Sequence, residues 1–327
     1  DEIEREKTAR QLATQPGLKA GLVLFAGLQL RADDFLRHVS RDIPDVPLVG
    51  MGAGFIVLGH ERATFKDYFQ RNMQALANLE GDDNQYLSMQ GRFYPHGLLL
   101  VTLSGHDLTA KAQYLLGWHP VGKYLEATGV TQGKIVHKLD GCAAAAAYQK
   151  YLGVPMDKFF NVNIAEFPLL IEREGTVIGR IPLAVDGEGI CFPGDVHEGE
   201  QLRFGYANPQ EVLTETWRAS EEIARLHPDA IFLFVCGSRT LFLQEREREE
   251  YADYHRVCRE LASHHGNGEI YRYHGQGGML TGAFVALSLW ENPICGGCTT
   301  PLPPVEVPEP LPQEIPLVTR LAHFIKA

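Results

Sequence analysis

FPLLIEREGTVIGRIPLAVDGEGICFPGDVHEGEQLRFGY, residues 167–206, is the stretch whose reading decides the fold class. Three turn pairs, Glu174-Gly175, Asp186-Gly187 and Glu198-Gly199, punctuate strand-sized runs at 169–173, 177–184, 189–192 and 201–206. Glycine behind an acidic residue accepts the positive φ that a tight hairpin demands, so the pattern predicts an antiparallel meander.

Working outward toward the N-terminus, an Ala-rich segment at 142–152 followed by Gly153 reads as a short, closely packed helix, and a strand ending at Asp140 precedes it. The start of the chain reads as a helix at 3–14, a turn at Pro16-Gly17, a strand at 21–26, an amphipathic stretch opened by Asp33-Asp34, and a strand at 46–50. That order is a βαβ opening. A helix at 64–79 and a strand at 96–103 follow.

Beyond the meander, a helix at 211–226, a buried strand at 230–236, a charged helix at 245–263 and a last strand at 283–290 are expected. The fold class is therefore α+β or mixed α/β, two-lobed, with mixed sheets flanked by helices. The expected lobes are residues 1–160 and 161–291. Eight prolines between 292 and 316 predict an extended linker. Val318, Leu321 and Phe324 recur at helical spacing from Leu317, so residues 317–327 read as the start of a connector to a further domain. A terminal docking helix is the alternative, and pairing of two chains into a homodimer is left open.

Composition narrows the partners. With 45% hydrophobic and 22% charged residues the chain can bury substantial cores, and a formal charge of -11 offers no basic face for nucleic acid or an anionic membrane. No apolar run reaches the roughly 20 residues that span a bilayer, and the acidic opening Asp1-Glu2-Ile3-Glu4 is not a secretory signal, so a cytoplasmic location is expected. Six dispersed cysteines do not form a disulfide framework. Cys295-Gly296-Gly297-Cys298 has the spacing of half a zinc site, but a structural site needs about two further ligands and no second pair lies nearby.

Enzymatic patterns are missing: there is no G-x-S-x-G elbow, no H-E-x-x-H helix and no phosphate-loop G-x-x-x-x-G-K. Gly50-Met51-Gly52-Ala53-Gly54 is read as tight backbone packing at a strand end. An unrecognised catalytic centre around Cys236, Arg239 and His274 remains the rival of a different class.

The meander's segments, together with Pro228-Asp229-Ala230 to Cys236-Gly237-Ser238-Arg239 and Leu116-Gly117-Trp118-His119-Pro120-Val121-Gly122, strongly resemble the FIST family in order and spacing. The resemblance covers about residues 20–291. It departs at His274-Gly275-Gln276, where the family's acidic residue is absent, and at Thr281-Gly282-Ala283. What it implies is a bacterial sensory input module for a small-molecule or gas ligand, relaying to a diguanylate cyclase or histidine kinase output. One subgroup of the family senses nitric oxide through haem, and the family was first proposed to bind small ligands such as amino acids.

Haem would need an axial imidazole or thiolate in an apolar pocket. His119 ranks first among the thirteen histidines, because Tyr114, Leu115, Leu116, Trp118 and Pro120 offer an apolar wall, and His274 second, because the glycines after it admit a planar group. These two are the expected metal ligands, with His60 a third choice. Histidines hydrogen-bonded in loops are the plainer alternative. Cys142, at the start of the Ala-rich helix, is a candidate thiolate, while Cys236 and Arg239 close a buried strand where ligand loops gather.

Overall fold

The computed structural model describes residues 2–27, 32–53, 86–154, 163–164, 166–243 and 246–291. Leu18 to Ala26 carries apolar side chains on both faces of an extended run, and it forms β1 (Leu18–Ala26) at the heart of a sheet. It pairs parallel with β2 (Leu48–Gly52) through the crossover helix α2 (Ala32–Val39), as the βαβ opening predicts, and antiparallel with β5 (Gly97–Ser104). Gly50 allows the close pairing of β1 and β2: a Cβ there would stand 1.9 Å from the Val23 carbonyl oxygen. Helix α1 (Glu2–Thr14) packs with α2, burying Ala9, Leu12, Leu36 and Val39 in one core with Val23 and Phe25. A small hairpin, β3 (Leu87–Met89) with β4 (Arg92–Tyr94), precedes β5.

The meander builds a second sheet, and most of its strands stand where expected. β10 (Leu169–Arg173) and β11 (Thr176–Arg180) form a hairpin, β14 (Gln201–Tyr206) pairs β10, and β12 (Ala184–Asp186) pairs β13 (Gly189–Cys191). One correction concerns residues 177–184, which are not a single strand. Pro182 has no N–H for a ladder, and the chain leaves the sheet after Arg180 until Ala184. Two strands from before the meander, β7 (His119–Thr131) and β8 (Ile135–Leu139), sit at its middle, giving the order β11-β10-β14-β7-β8-β13-β12. The short β9 (Cys142–Ala143) pairs β8, and α3 (Ala144–Leu152) ends as expected, with Gly153 left-handed and its N–H on the Gln149 carbonyl.

A third sheet has the order β16-β15-β19-β6, made of β6 (Thr109–Leu115), β15 (Ala230–Cys236), β16 (Leu261–Gly266) and β19 (Phe284–Trp290). Helix α4 (Pro209–Ala224) starts with the Asn208 side chain accepting the Gln210 N–H and Pro209 in its first turn. A short α5 (Gly237–Leu243) follows β15, and α6 (Glu247–Val257) packs on α4. The charged helix expected to run to residue 263 stops at Val257, because 261–266 pairs in parallel with β15 and is strand.

Sheet membership crosses the boundary expected near residue 160. β17 (Glu269–Tyr273) and β18 (Gln276–Leu280) join the first sheet, in the order β18-β17-β2-β1-β5, although they come from the C-terminal third. Side chains then stitch the β18 edge to the β11 edge of the second sheet. Thr176 Oγ1 accepts the Gly277 N–H at 3.0 Å, while Thr281 Oγ1 accepts from Ile181 N and donates to the Gly179 carbonyl.

The expected helix at 64–79, His60, Cys295 and Cys298, the Pro-rich linker and the helix from Leu317 lie outside the described residues. Among the described residues no helix is long and apolar enough to cross a membrane.

Candidate ligand groove beside strand β6

β6 is the last strand of its sheet in the paired order, and α4 runs alongside it. Glu215, Arg218, Ala219 and Glu222 recur at intervals of three and four, so they share one face of α4. Across from them stand Ala112, Gln113, Tyr114 and Leu115 of β6 and Tyr271 of β17, and the space between is a groove of about 370 Å3. That volume lies within the roughly 300–1,000 Å3 typical of small-ligand sites. Ala219, buried at the helix surface, keeps the groove open where a longer side chain would fill it.

The lining is polar on one wall and aromatic on the other. Arg218, exposed and in no described ion pair, is flanked along the helix by two carboxylates, Glu215 and Glu222. Gln113 Nε2 donates to Glu222 Oε2 at 3.4 Å, and its Oε1 is shielded from solvent without a hydrogen-bond partner. The Tyr114 and Tyr271 rings lie 4.8 Å apart, tilted by 45°. Burial raises the Tyr114 phenol, a shift partly offset by its hydrogen bond to the Val177 backbone. Burial, with the neighbouring Tyr114, pushes Tyr271 up to about 12. Both phenols stay neutral, so this wall is aromatic surface with hydroxyl tips.

Such an arrangement can hold a small molecule with both charges: Arg218 for a carboxylate or phosphate, Glu215 or Glu222 for an ammonium, the tyrosines for apolar surface. The groove-lining residues include no Ser, Thr or Cys nucleophile.

The expected site residues are not brought together as one centre. His119 opens β7 at the edge of this region, its side chain 60% exposed and its Nε2 3.8 Å from Glu215 Oε1. Tyr114 and Leu115, expected as its apolar wall, line the groove, but Trp118 turns away into a core, donating Nε1–H to the Glu166 carbonyl and packing on Phe242. His274 is a hairpin residue: it and Gly275 have φ of 52° and 74° between the paired Tyr273 and Gln276. The glycine there serves the two-residue turn. The His274 ring is 58% exposed, stacked on Tyr273, with Nδ1 3.0 Å from Asp45. Cys142 is exposed on β9, ahead of the helix it was expected to open.

Cys236 and Arg239 both lie in the interior. Arg239 is spent on structure: it donates to both oxygens of Glu250 and to the Leu116 and Gly282 carbonyls, and lies 5.7 Å from the Trp118 ring. Burial pushes the Cys236 thiol up to about 12, so it is no thiolate.

These positions do not fit haem. Both ranked imidazoles are largely exposed and each faces a carboxylate, and the groove near His119 is walled by charges where a macrocycle needs apolar cover. Among the described residues no group of three or more His, Cys, Asp and Glu side chains could hold a metal ion.

Arg218, Glu215, Glu222 and Gln113 were missed in the sequence. The charges on α4 have the spacing of an ordinary solvated helix face, and only the neighbouring edge strand makes them a wall.

The FIST N domain model matches residues 1–142 and the FIST C domain model matches residues 144–272. Curated proteins give no match.

Proposed function

The chain belongs to the FIST family, and from that premise we propose that it is the input module of a bacterial signalling protein, binding a small organic ligand without metal in the groove beside β6. FIST domains are sensory modules of signal transduction that bind small ligands. The observation that carries the ligand reading is Arg218 standing between Glu215 and Glu222 opposite Tyr114 and Tyr271. That wall of both signs suits an amino-acid-like zwitterion. Occupation of the groove bears on α4, β6 and β17 together, and through them on the first and third sheets. The natural recipient is an output partner such as a diguanylate cyclase or histidine kinase.

A thermal-shift panel of amino acids and related zwitterions tests this. A ligand that binds only the native state raises the melting temperature, and goes on raising it with the logarithm of its concentration above the dissociation constant. The expected result is a concentration-dependent rise with at least one compound, abolished by Arg218→Glu. A Soret band after haem reconstitution that is lost on replacing His119 or His274 would replace this reading with the haem and nitric-oxide one.

A further inference from the structure

Tyr271 and Glu269 lie two residues apart on β17, and so on the same face of the strand. Tyr271 reaches the groove, whereas Glu269 is sealed at the junction of the first and third sheets, with no exposed surface at all. Its Oε2 accepts the Ala283 N–H at 3.1 Å, and the Cys236 thiol hydrogen-bonds to the carboxyl. Oε1 is buried with no hydrogen-bond partner. The Ala283 amide, the Cys236 thiol and its own backbone N–H are a thin donor set for a buried carboxylate, which ordinarily needs a cation held against it.

A cation does act on it, but through space and less than burial does. From α5 comes Arg239, but its guanidinium is held by Glu250 of α6, with Nε 3.2 Å from Oε2 and Nη2 on Oε1. β15 contributes Cys236, whose sulfur accepts from Ser238 Oγ at 3.1 Å. β2 and β19 carry no titratable side chain. Burial accordingly drives the Glu269 carboxyl up to about 8.

We propose that Glu269 is a proton-binding latch between the first and third sheets: as the neutral acid it holds β17 to the end of β15 and the start of β19, and losing its proton to solvent leaves a buried carboxylate that weakens the junction. This goes beyond the ligand reading and stands without it. Tyr271 shares the strand, so the latch also sets how firmly one groove wall is held.

The test compares thermal unfolding of the full chain with that of Glu269→Gln, which keeps the shape of the neutral acid and cannot ionise. An unfolded glutamate loses its proton near about pH 4.3 and the folded Glu269 near about 8, so the folded state binds the extra proton between those values. Stability from the neutral acid is therefore full at low pH and lost as pH rises through that window. The melting-temperature gap in favour of Glu269→Gln should widen by several degrees from about pH 5 to about pH 8 and stop widening above about 8.5. A gap that stays constant across that range overturns the proposal. Should the variant not fold, infrared spectroscopy of the wild-type chain decides. The carbonyl stretch of a protonated carboxylic acid should be present at about pH 7 and gone by about pH 9.5, and its absence at about pH 7 overturns the proposal. Asp253, pushed by burial only up to about 6, is largely ionised at the start of that range.

Discussion

Arg180 Nη2 lies 3.1 Å from Asp33 Oδ2, and that bond ties the first turn of α2 to the last residue of β11, 147 positions away in sequence. The same carboxylate takes the Met279 N–H on Oδ1 at 2.5 Å and Arg173 Nη1 on Oδ2 at 3.2 Å. One aspartate thus joins a helix, the β18 edge and two arginines of the second sheet. Arg180 is wholly buried and also donates to the Asp195 and Met279 carbonyls.

Removing that hub strands buried positive charge. Asp33→Ala is expected to cost about 3–5 kcal/mol, the range for breaking one partner of a buried ion pair. Urea unfolding followed by circular dichroism measures it; a loss below about 1 kcal/mol would show that the seam does not depend on Asp33.

Arg239 and Glu250 form the second buried pair, braced by Thr216 Oγ1 donating to Glu250 Oε1 at 2.8 Å. Glu250→Ala should destabilise by about 3–5 kcal/mol, while Arg239→Met with Glu250→Leu should recover most of that, since an apolar pair leaves no unpaired charge. The double-mutant cycle in guanidinium gives the comparison, and a double variant as unstable as the single one contradicts it.

In the groove, Arg218 is exposed and in no described ion pair, so Arg218→Glu should change stability by less than about 1 kcal/mol. Its effect should fall on the ligand-induced thermal shift. A large loss of stability without ligand would show instead that Arg218 supports the fold.

Acid sensitivity should trace to Glu200. Burial would raise its carboxyl, but Arg173 outweighs burial through bonds of 2.6 and 2.7 Å and holds it below the usual value. A depressed folded pKa gives stability that is full above the ordinary carboxylate value and is lost as pH falls through the folded one. Arg173→Met should therefore flatten the decline in melting temperature below about pH 4.3. An unchanged acid limb would place the decline elsewhere.

Local elements were legible because their causes are local. Gly153 ends α3 through its own left-handed backbone, and Glu174-Gly175 makes the β10–β11 turn. Misreadings arose where a distant partner overrode the local pattern. Leu261 to Ser263 followed a charged helix and was read as its last turn, yet pairing of 261–266 with Ile231 to Cys236 makes it a strand. His119 beside Trp118 looked like a ligand with an apolar wall, but Trp118 precedes the strand and is held in a core by Glu166 and Phe242, while the His119 ring is exposed.

By itself, then, the sequence determined the mixed α and β class, the meander, the opening βαβ unit and membership of the family. Periodicity, turn residues and ordered motifs all act over a few positions. Only the tertiary structure decided which strands share a sheet, that His119 and His274 face solvent, that Glu215, Arg218 and Glu222 border a groove, and that Glu269 is buried with too few donors. Exposure and hydrogen-bond supply are set by neighbours far off in the chain, as with Asp33 and Arg180, 147 positions apart.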